Sequence, residues 1–358
     1  MPGISPATQP GLHKQRSLFQ AIVMKTRNQH SEQPLLEVRN LSLSFHQHKQ
    51  LAVDRVNFNI KAGNTLGLVG ASGAGKSSIA RAILRLADAD SGEIFFRGKN
   101  IFEMDSQQLM ATRQRIQLVF QNPFASLSPR RTVEQTLLEP LQHFAIGNSN
   151  SRLEKISQII NTVGLDGSAL RRYPHQFSSG QQQRIAIARA LVTNPDLLIA
   201  DEAVSSLDVS IQAQILQLIQ TLQKEHGITF LFISHDLGVI RQVADEVAIM
   251  YRGQLLEQSS ADNFFSTPAH PYSKALLSFA SYNTPIDPAD ANWRLHRGRS
   301  ENGNTANCVF VDNCREKMPV CDRLEPGSYH IQDKNQHTTG THCVKCHIYD
   351  EANTNETK

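Results

Sequence analysis

The sequence predicts an α/β protein built on a parallel sheet, and three observations carry that expectation. Residues Gly70 to Ser77 read GASGAGKS, a glycine-rich loop set between an apolar strand and an amphipathic helix. Residues Leu197 to Glu202 read LLIADE, a continuous apolar run that ends on two carboxylates. Around and beyond that run, strand-length and helix-length segments alternate (DLLIA, IQAQILQLIQTLQKEHG, ITFLFI), and such alternation calls for parallel pairing with crossovers.

Bulk properties narrow the classes. At 358 residues the chain has room for one large domain and a smaller one. A net charge of +3, with 19% of residues charged, gives no concentrated basic surface, so no nucleic-acid partner is expected. The longest apolar runs, TFLFI and LLIA, have strand length and fall far short of a bilayer span. The stretch SLFQAIV is too short for a signal peptide and is followed by Met24, Lys25 and Arg27, so a cytosolic chain that meets membranes by docking is expected. Residues 1–33 are polar and aperiodic and read as a disordered extension, with Met24 as an alternative start.

From Leu35 to about Gly98 the pattern is β-rich. LSLSF (Leu41 to Phe45) and VNFNI (Val56 to Ile60) alternate apolar and polar residues, as half-buried antiparallel strands do. TLGLV follows as a buried strand, and KSSIARAILRLA places Ile79, Ile83 and Leu86 on one helix side. SGEIFFRGK reads as a turn and an edge hairpin strand. Residues 123–180 look helical and loop-like. Within them RLEKISQIINTVGL carries an apolar face at Leu153, Ile156, Ile159, Ile160 and Val163, and Gly164 stops it.

The glycine loop fits G-x-x-x-x-G-K-[ST] with a strand before it and a helix after it, a context that a chance glycine turn lacks. Its backbone, from Gly70, Ala71, Ser72, Gly73 and Ala74 to Gly75, turns successive N–H groups toward phosphates, with Ser78 in the helical turn that follows. Lys76 reaches the β and γ oxygens, and Ser77 offers its hydroxyl to magnesium. In LLIADE, Asp201 is placed to hold the metal through water and Glu202 to polarise the attacking water. A pair of helix-capping acids on a loop is the bland alternative.

A second motif, FSSGQQQR (Phe177 to Arg184), has no base, nucleophile or strong charge. Ser178, Ser179, Gly180 and Gln181 instead offer backbone N–H groups and a hydroxyl to an anion, at the start of the helix QQQRIAIARAL. Two phosphate-binding surfaces on one chain imply that two chains share each nucleotide.

These motifs, with Gln121 in VFQNP, SSLD (Ser205 to Asp208) and His235 in FISHD, stand in the order found in ABC-type ATPases, which the chain resembles from about Leu35 onward. The resemblance implies a P-loop ABC-type fold: an antiparallel β subdomain, a RecA-like parallel-sheet core, an inserted helical subdomain at about 123–185, and an ATPase unit at 34–280. A small Cys-containing region at 281–358 would follow. The resemblance also implies roles. Phe45 stacks on adenine, although a core-facing strand residue is the alternative. Gln121 touches magnesium and the attacking water, so that Ser77, Gln121 and Asp201 hold the metal. His235 contacts the γ-phosphate, and Asp208 meets the opposite subunit's phosphate loop. Ser178, Ser179, Gly180 and Gln181 cover the partner's ATP. Ser179 departs from the family's usual Ser-Gly-Gly-Gln, setting a side chain where the partner's phosphate approaches.

QNPFASLSPRRTV, DEAVSSLDVSIQAQILQLI and PAHPYSKALLS (Pro268 to Ser278) resemble more narrowly the ATPases of bacterial oligopeptide, dipeptide and nickel-chelate importers. That implies ATP and Mg2+ as cofactor set and a second, different ATPase subunit. It also implies two membrane-spanning permease subunits, an extracytoplasmic solute-binding protein, and a peripheral place on the cytoplasmic face of the inner membrane. A soluble ABC-type ATPase is the competing class, but one phosphate loop, no heptad run and no basic tract disfavour it. A metal-binding regulator with a dead ATPase is disfavoured by the presence of Lys76, Asp201, Glu202 and His235.

All five cysteines lie after residue 300, and an odd count in a cytosolic chain argues against structural disulfides. Sulfur ligation of zinc or an iron–sulfur cluster and free thiols in a loose tail both remain open on spacing. The family resemblance implies a [4Fe–4S] cluster on Cys308, Cys314, Cys321 and Cys346, with Cys343 an extra thiol able to substitute. His330, His342 and His347 keep zinc as the alternative. On this reading the cysteine region is a module separate from the ATP site.

Overall fold

The computed structural model describes residues 33–44, 51–280, 307–331 and 342–350. Phe45 and the N-terminal extension, with Met24, lie outside the described residues.

The chain opens with β1 (Leu36–Ser44) and β2 (Leu51–Ile60), whose alternating residues pair antiparallel, Leu36 opposite Ile60 and Val38 opposite Phe58. β3 (Thr65–Gly70), buried along its whole length, runs into the glycine loop and α1 (Lys76–Ile83). β4 (Ser91–Phe96) and the two-residue β5 (Lys99–Asn100) complete a four-stranded sheet of order β2-β1-β4-β5. α2 (Ser106–Arg115) leads to β6 (Ile116–Val119). Next come α3 (Pro123–Ser126), α4 (Val133–His143), α5 (Ser149–Thr162) and α6 (Ser179–Leu191). The βα alternation then runs through β7 (Leu197–Asp201), α7 (Val209–His226), β8 (Thr229–Ser234), α8 (Leu237–Val243) and β9 (Glu246–Tyr251). β10 (Gln254–Ser260), α9 (Ala261–Ser266), α10 (Pro271–Ala280), β11 (Tyr329–Ile331) and β12 (His342–Val344) follow.

The second sheet is eight-stranded, β11-β12-β10-β9-β3-β8-β7-β6. Its five strands from β9 to β6 are parallel, and the three at the other edge are antiparallel. The central parallel strands are apolar throughout because both faces are covered. All parallel strands point their C-terminal ends the same way. The phosphate loop after β3, the carboxylates after β7 and His235 after β8 therefore gather at one end of the sheet.

Three local expectations are corrected. α1 ends at Ile83, where Arg85 takes φ 50° and the amides of Arg85 and Leu86 close on the carbonyls of Ala82 and Arg81. That is a left-handed helix stop, and it turns Leu86 out to 60% exposure, off the face of Ile79 and Ile83. On α5, Ile156 and Ile160 are buried, as is Val163 just past its end, but Leu153 near its start is exposed. β4 is not an edge strand, because β5 hydrogen-bonds beyond it.

The described part of the cysteine region is neither loose nor detached. Phe310, Val311, Cys308 and Cys321 join the same buried core as Tyr251 and Tyr272. β12 extends the main sheet, Val344 opposite Glu257 and Cys343 opposite Gln258. Ion pairs clasp it from the other side: Glu325 meets both Arg55 of β2 and Lys345, each at 2.5 Å.

Candidate functional site

The phosphate loop owes its shape to close approach. Gly75 sits at φ 103°, and a Cβ there would stand 2.2 Å from the carbonyl oxygen of Ala52 on β2. Only glycine meets both conditions. The loop thus packs against the antiparallel sheet and delivers Lys76 to the first residue of α1. Lys76 is 5% exposed, and its Nζ donates to the carbonyls of Gly70 (2.7 Å) and Ala71 (2.9 Å). Burial lowers its pKa from the usual lysine value, while the nearby charges of Glu202 and Asp201 oppose that shift. An anion at the loop would supply the counter-charge this ammonium faces.

Ser77 Oγ donates to Asp201 Oδ1 at 3.1 Å, joining α1 to the end of β7. Burial raises the Asp201 pKa against the hydrogen bond from Ser77, and the charge of Glu202 adds to the rise. A cation beside these two oxygens would relieve that penalty, and hydroxyl with carboxylate is a donor set that suits Mg2+. The sequence-level pairing of Ser77 with Asp201 is therefore present in the geometry.

Glu202 holds the centre. Its Oε2 accepts from Gln121 Nε2 at 2.9 Å, and its Oε1 faces His235 Nδ1 at 3.4 Å. The backbone is in the left-handed region, φ 50°, a conformation that costs a non-glycine residue energy. It is held by the Glu202 amide on the Ile233 carbonyl (2.9 Å) and by Ser205, whose amide and hydroxyl both donate to the Glu202 carbonyl. Gln121 Nε2 also reaches Ser205 Oγ at 3.3 Å. Ser205 is a positioning group that the sequence reading quoted only as part of SSLD.

Lys76, Ser77, Gln121, Asp201, Glu202 and His235 are thus one constellation. Asp208, Ser178, Ser179, Gly180 and Gln181 are not part of it. Asp208 caps α7, accepting from the Ile211 amide at 2.9 Å. Ser178 caps α6, which begins at Ser179, two residues before the stretch expected. Its hydroxyl accepts from the Gln181 amide (3.4 Å) and Gln181 Oε1 accepts from the Ser178 amide (3.1 Å), a capping box. The amides of Ser179 and Gly180 precede the first intrahelical bond, from Gln182 to Ser178. Ser178, Gly180 and Gln181 line a cavity of about 260 Å3 with Arg184 and Gln214, while Ser179 is exposed outside its lining. Gly180 also has a packing role the motif did not reveal, since a Cβ there would meet Ile211 Cγ2 at 2.3 Å.

Among the described residues no three His, Cys, Asp or Glu side chains are placed to hold a metal ion. The thiols of Cys308, Cys314, Cys321 and Cys346 are nevertheless near enough to interact. Burial, with the charge of the other three thiols acting in the same direction, pushes Cys346 up to about 12, and burial pushes Cys308 up to about 11. The Cys308 amide donates to the Cys321 carbonyl at 3.0 Å. Cys343 shows a rise from burial alone and stands apart from the four.

The ABC transporter family model matches residues 53–205, and the model for the oligopeptide/dipeptide transporter C-terminal region matches residues 256–321. The oligopeptide transport ATP-binding protein AppF of Bacillus subtilis (strain 168) is 42% identical over 305 residues, spanning 83% of this chain and 89% of its own. The dipeptide transport ATP-binding protein DppF of Escherichia coli (strain K12) is 40% identical over 311 residues, 85% and 93% of the two chains. This chain belongs to the family of oligopeptide and dipeptide transport ATP-binding proteins. Among solved structures, the dimeric post-hydrolysis state of the ATP-binding cassette MJ0796 bound to ADP and Pi aligns with a TM-score of 0.57. It is 28% identical, covering 63% of this chain and 98% of that one. CbiO1 of Clostridium perfringens, part of the CbiONQ ABC transporter complex, aligns with a TM-score of 0.61 at 27% identity over 66% and 92%. The fold is thus that of an ABC-type ATPase cassette. No helix among the described residues is long and apolar enough to cross a membrane.

Proposed function

We propose that the chain is the ATP-hydrolysing subunit that energises uptake of peptides or related small solutes through a membrane ABC transporter. The observation that carries this reading is the placement of Glu202 between Gln121 and His235, beside the Ser77–Asp201 pair, in a chain of peptide-transport kinship.

Lys76 supplies fixed positive charge to the β- and γ-phosphates, and the loop amides orient them. Magnesium, when bound, neutralises phosphate charge, and Ser77, Gln121 and Asp201 are the residues that would hold it. Glu202 accepts a proton from, or orients, the attacking water, with Gln121 and His235 fixing the two carboxylate oxygens. Ser178, Ser179, Gly180 and Gln181 serve a partner subunit's ATP, a reading supported by the dimeric solved relative. Two shared nucleotides would then close the dimer, and hydrolysis would release it.

The partners inferred are a second, different ATPase subunit, two permease subunits and, indirectly, an extracytoplasmic binding protein, with this chain peripheral on the cytoplasmic face. Fractionation tests that placement. The subunit should follow the membrane when the permease subunits are co-expressed and leave it when they are absent. Partitioning that ignores the permease would overturn it.

For the four interacting thiols we infer a shared ligand set for a [4Fe–4S] cluster or zinc. As placed they form no coordination shell, so no step of ATP turnover is assigned to them. Brown protein absorbing in the blue would support the cluster, and colourless protein with one zinc per chain would support zinc. Metal-free protein purified anaerobically would refute both.

A further inference from the structure

The hairpin turn between β9 and β10 reaches the phosphate loop from outside every nucleotide motif. Arg252 and Gly253 alone join the two strands, and both have positive φ (46° and 86°), as a tight two-residue hairpin turn requires. The Gly253 amide donates to the Ala74 carbonyl at 3.0 Å, and the Gly253 carbonyl accepts from the Asp54 amide of β2 at 2.8 Å. A Cβ on Gly253 would stand 3.1 Å from the Ala52 carbonyl oxygen, the same atom that confines Gly75. β2, the turn and the loop therefore meet at one point. Ala74 and Gly75 share a planar peptide, so holding its carbonyl also fixes the direction of the Gly75 N–H on the opposite side.

The residue after the turn ties this point to the C-terminal region. Gln254 is buried, and both ends of its side-chain amide are engaged. Its Nε2 donates to Asp54 Oδ2 at 2.6 Å and to Glu325 Oε1 at 3.1 Å, while its Oε1 accepts from Lys345 Nζ at 3.1 Å. Lys345 and Arg55 also donate to the Glu325 carboxylate. Glu325 follows Cys321 closely, and Lys345 immediately precedes Cys346, so both thiol-bearing stretches end in this clasp. Each step from Glu325 to the loop is a hydrogen bond, through Gln254, Asp54 and Gly253 to Ala74.

We propose that Glu325 and Gln254 are positioning residues for ATP binding. They clasp the C-terminal region to the β9–β10 turn and so hold the Ala74–Gly75 peptide in the conformation that receives phosphate. This rests on the reading of the loop as this chain's own ATP site, in which the Gly75 N–H is one of those turned toward phosphates. The clasp acts by preorganisation, sparing the ligand the work of ordering the loop.

The test titrates the full chain with a ribose-labelled fluorescent ATP and magnesium, as wild type, Glu325→Ala, Glu325→Gln and Lys274→Met. Lys274→Met cuts a different tie to the same segment, the Lys274–Glu316 pair at 2.9 Å, and leaves the clasp intact. Kd should rise about 3- to 10-fold in Glu325→Ala, the scale of one hydrogen bond. It should return toward wild type in Glu325→Gln, whose side-chain oxygen still accepts from Gln254. Lys274→Met should bind as wild type does. Wild-type affinity in Glu325→Ala would overturn the proposal. So would an equal loss in Lys274→Met, because any loosening of the segment would then suffice. Amide exchange gives a reading that needs no nucleotide. The Gly253 N–H should be protected in wild type and Lys274→Met and exchange faster in Glu325→Ala, and equal rates in all three would overturn the clasp. If wild type itself fails to bind, the ATP-site reading fails, and exchange at Gly253 still decides whether Glu325 holds the turn against the loop.

Discussion

Ser77 and Asp201, 124 residues apart in the chain, meet at 3.1 Å through a hydroxyl that donates to a carboxylate. That contact joins the first turn of α1 to the end of β7 and gives the site an oxygen-lined corner beside Lys76. Parallel pairing produces it, because β3, β8 and β7 are adjacent and all end on the same side.

Replacing Lys76 should act on binding. Lys76→Ala removes a buried ammonium already held by two loop carbonyls, and charge-assisted contacts are worth about 1.5–3 kcal/mol each. ATP affinity should fall by about 10- to 150-fold. Equilibrium titration checks this, and an unchanged Kd would remove Lys76 from the site.

Replacing Glu202 should act on turnover. Glu202→Gln keeps the shape and the contact to Gln121 but cannot take a proton. Phosphate release at this chain's site should drop by about 10²- to 10⁴-fold with ATP binding retained. Size-exclusion chromatography should then show an ATP-dependent dimer that persists. Undiminished hydrolysis would remove Glu202 from the mechanism.

Gly180 should prove sensitive for packing as well as for its amide. A Cβ at 2.3 Å from Ile211 Cγ2 forces α6 and α7 apart, and overpacking of this kind costs about 1–3 kcal/mol. Gly180→Ala should lower the denaturation midpoint, and Gly180→Ala with Ile211→Ala should recover part of it. Additive losses in the double variant would mean that the two residues do not touch.

Acid should loosen the C-terminal half first. Burial holds His270 down to about 4 from 6.5, and its Nδ1 accepts from the Tyr272 amide, so the folded state needs it neutral. The unfolded chain takes up this proton near pH 6.5 and the folded chain only near 4. The stabilisation is therefore complete above about 6.5 and is lost as pH falls toward 4. Glu257 acts in the same sense lower down. Burial opposes its charge, but His342, Ser273 and two backbone amides outweigh burial and hold its pKa below 4.5. Denaturation across pH 4 to 7 should show this slope, flattened in His270→Asn, whose side-chain oxygen can still accept from Tyr272.

The candidate constellation was legible in the sequence because its members lie where strands end or helices open, where spacing and residue type are read directly. Lys76, Asp201, Glu202 and His235 all sit at such points. What escaped depended on contacts between distant segments. Leu86 looked like a helix-face residue until Arg85 entered the left-handed region and ended the helix. Nothing in FSSGQQQR announces that Gly180 also packs on Ile211, thirty-odd positions on. Tyr272 sat in a stretch that marked the subfamily and nothing more. Its burial depends on Tyr251 of β9 and Phe310 of the cysteine segment packing around its ring.

The central claim is that hydrolysis at this constellation drives peptide import. It is tested most directly by uptake of a labelled oligopeptide into vesicles reconstituted with the transporter, its binding protein and either wild-type subunit or Glu202→Gln. ATP-dependent uptake with wild type, reduced by about 100-fold or more with Glu202→Gln, is the predicted result. Uptake that proceeds equally with Glu202→Gln, or without ATP, would contradict it.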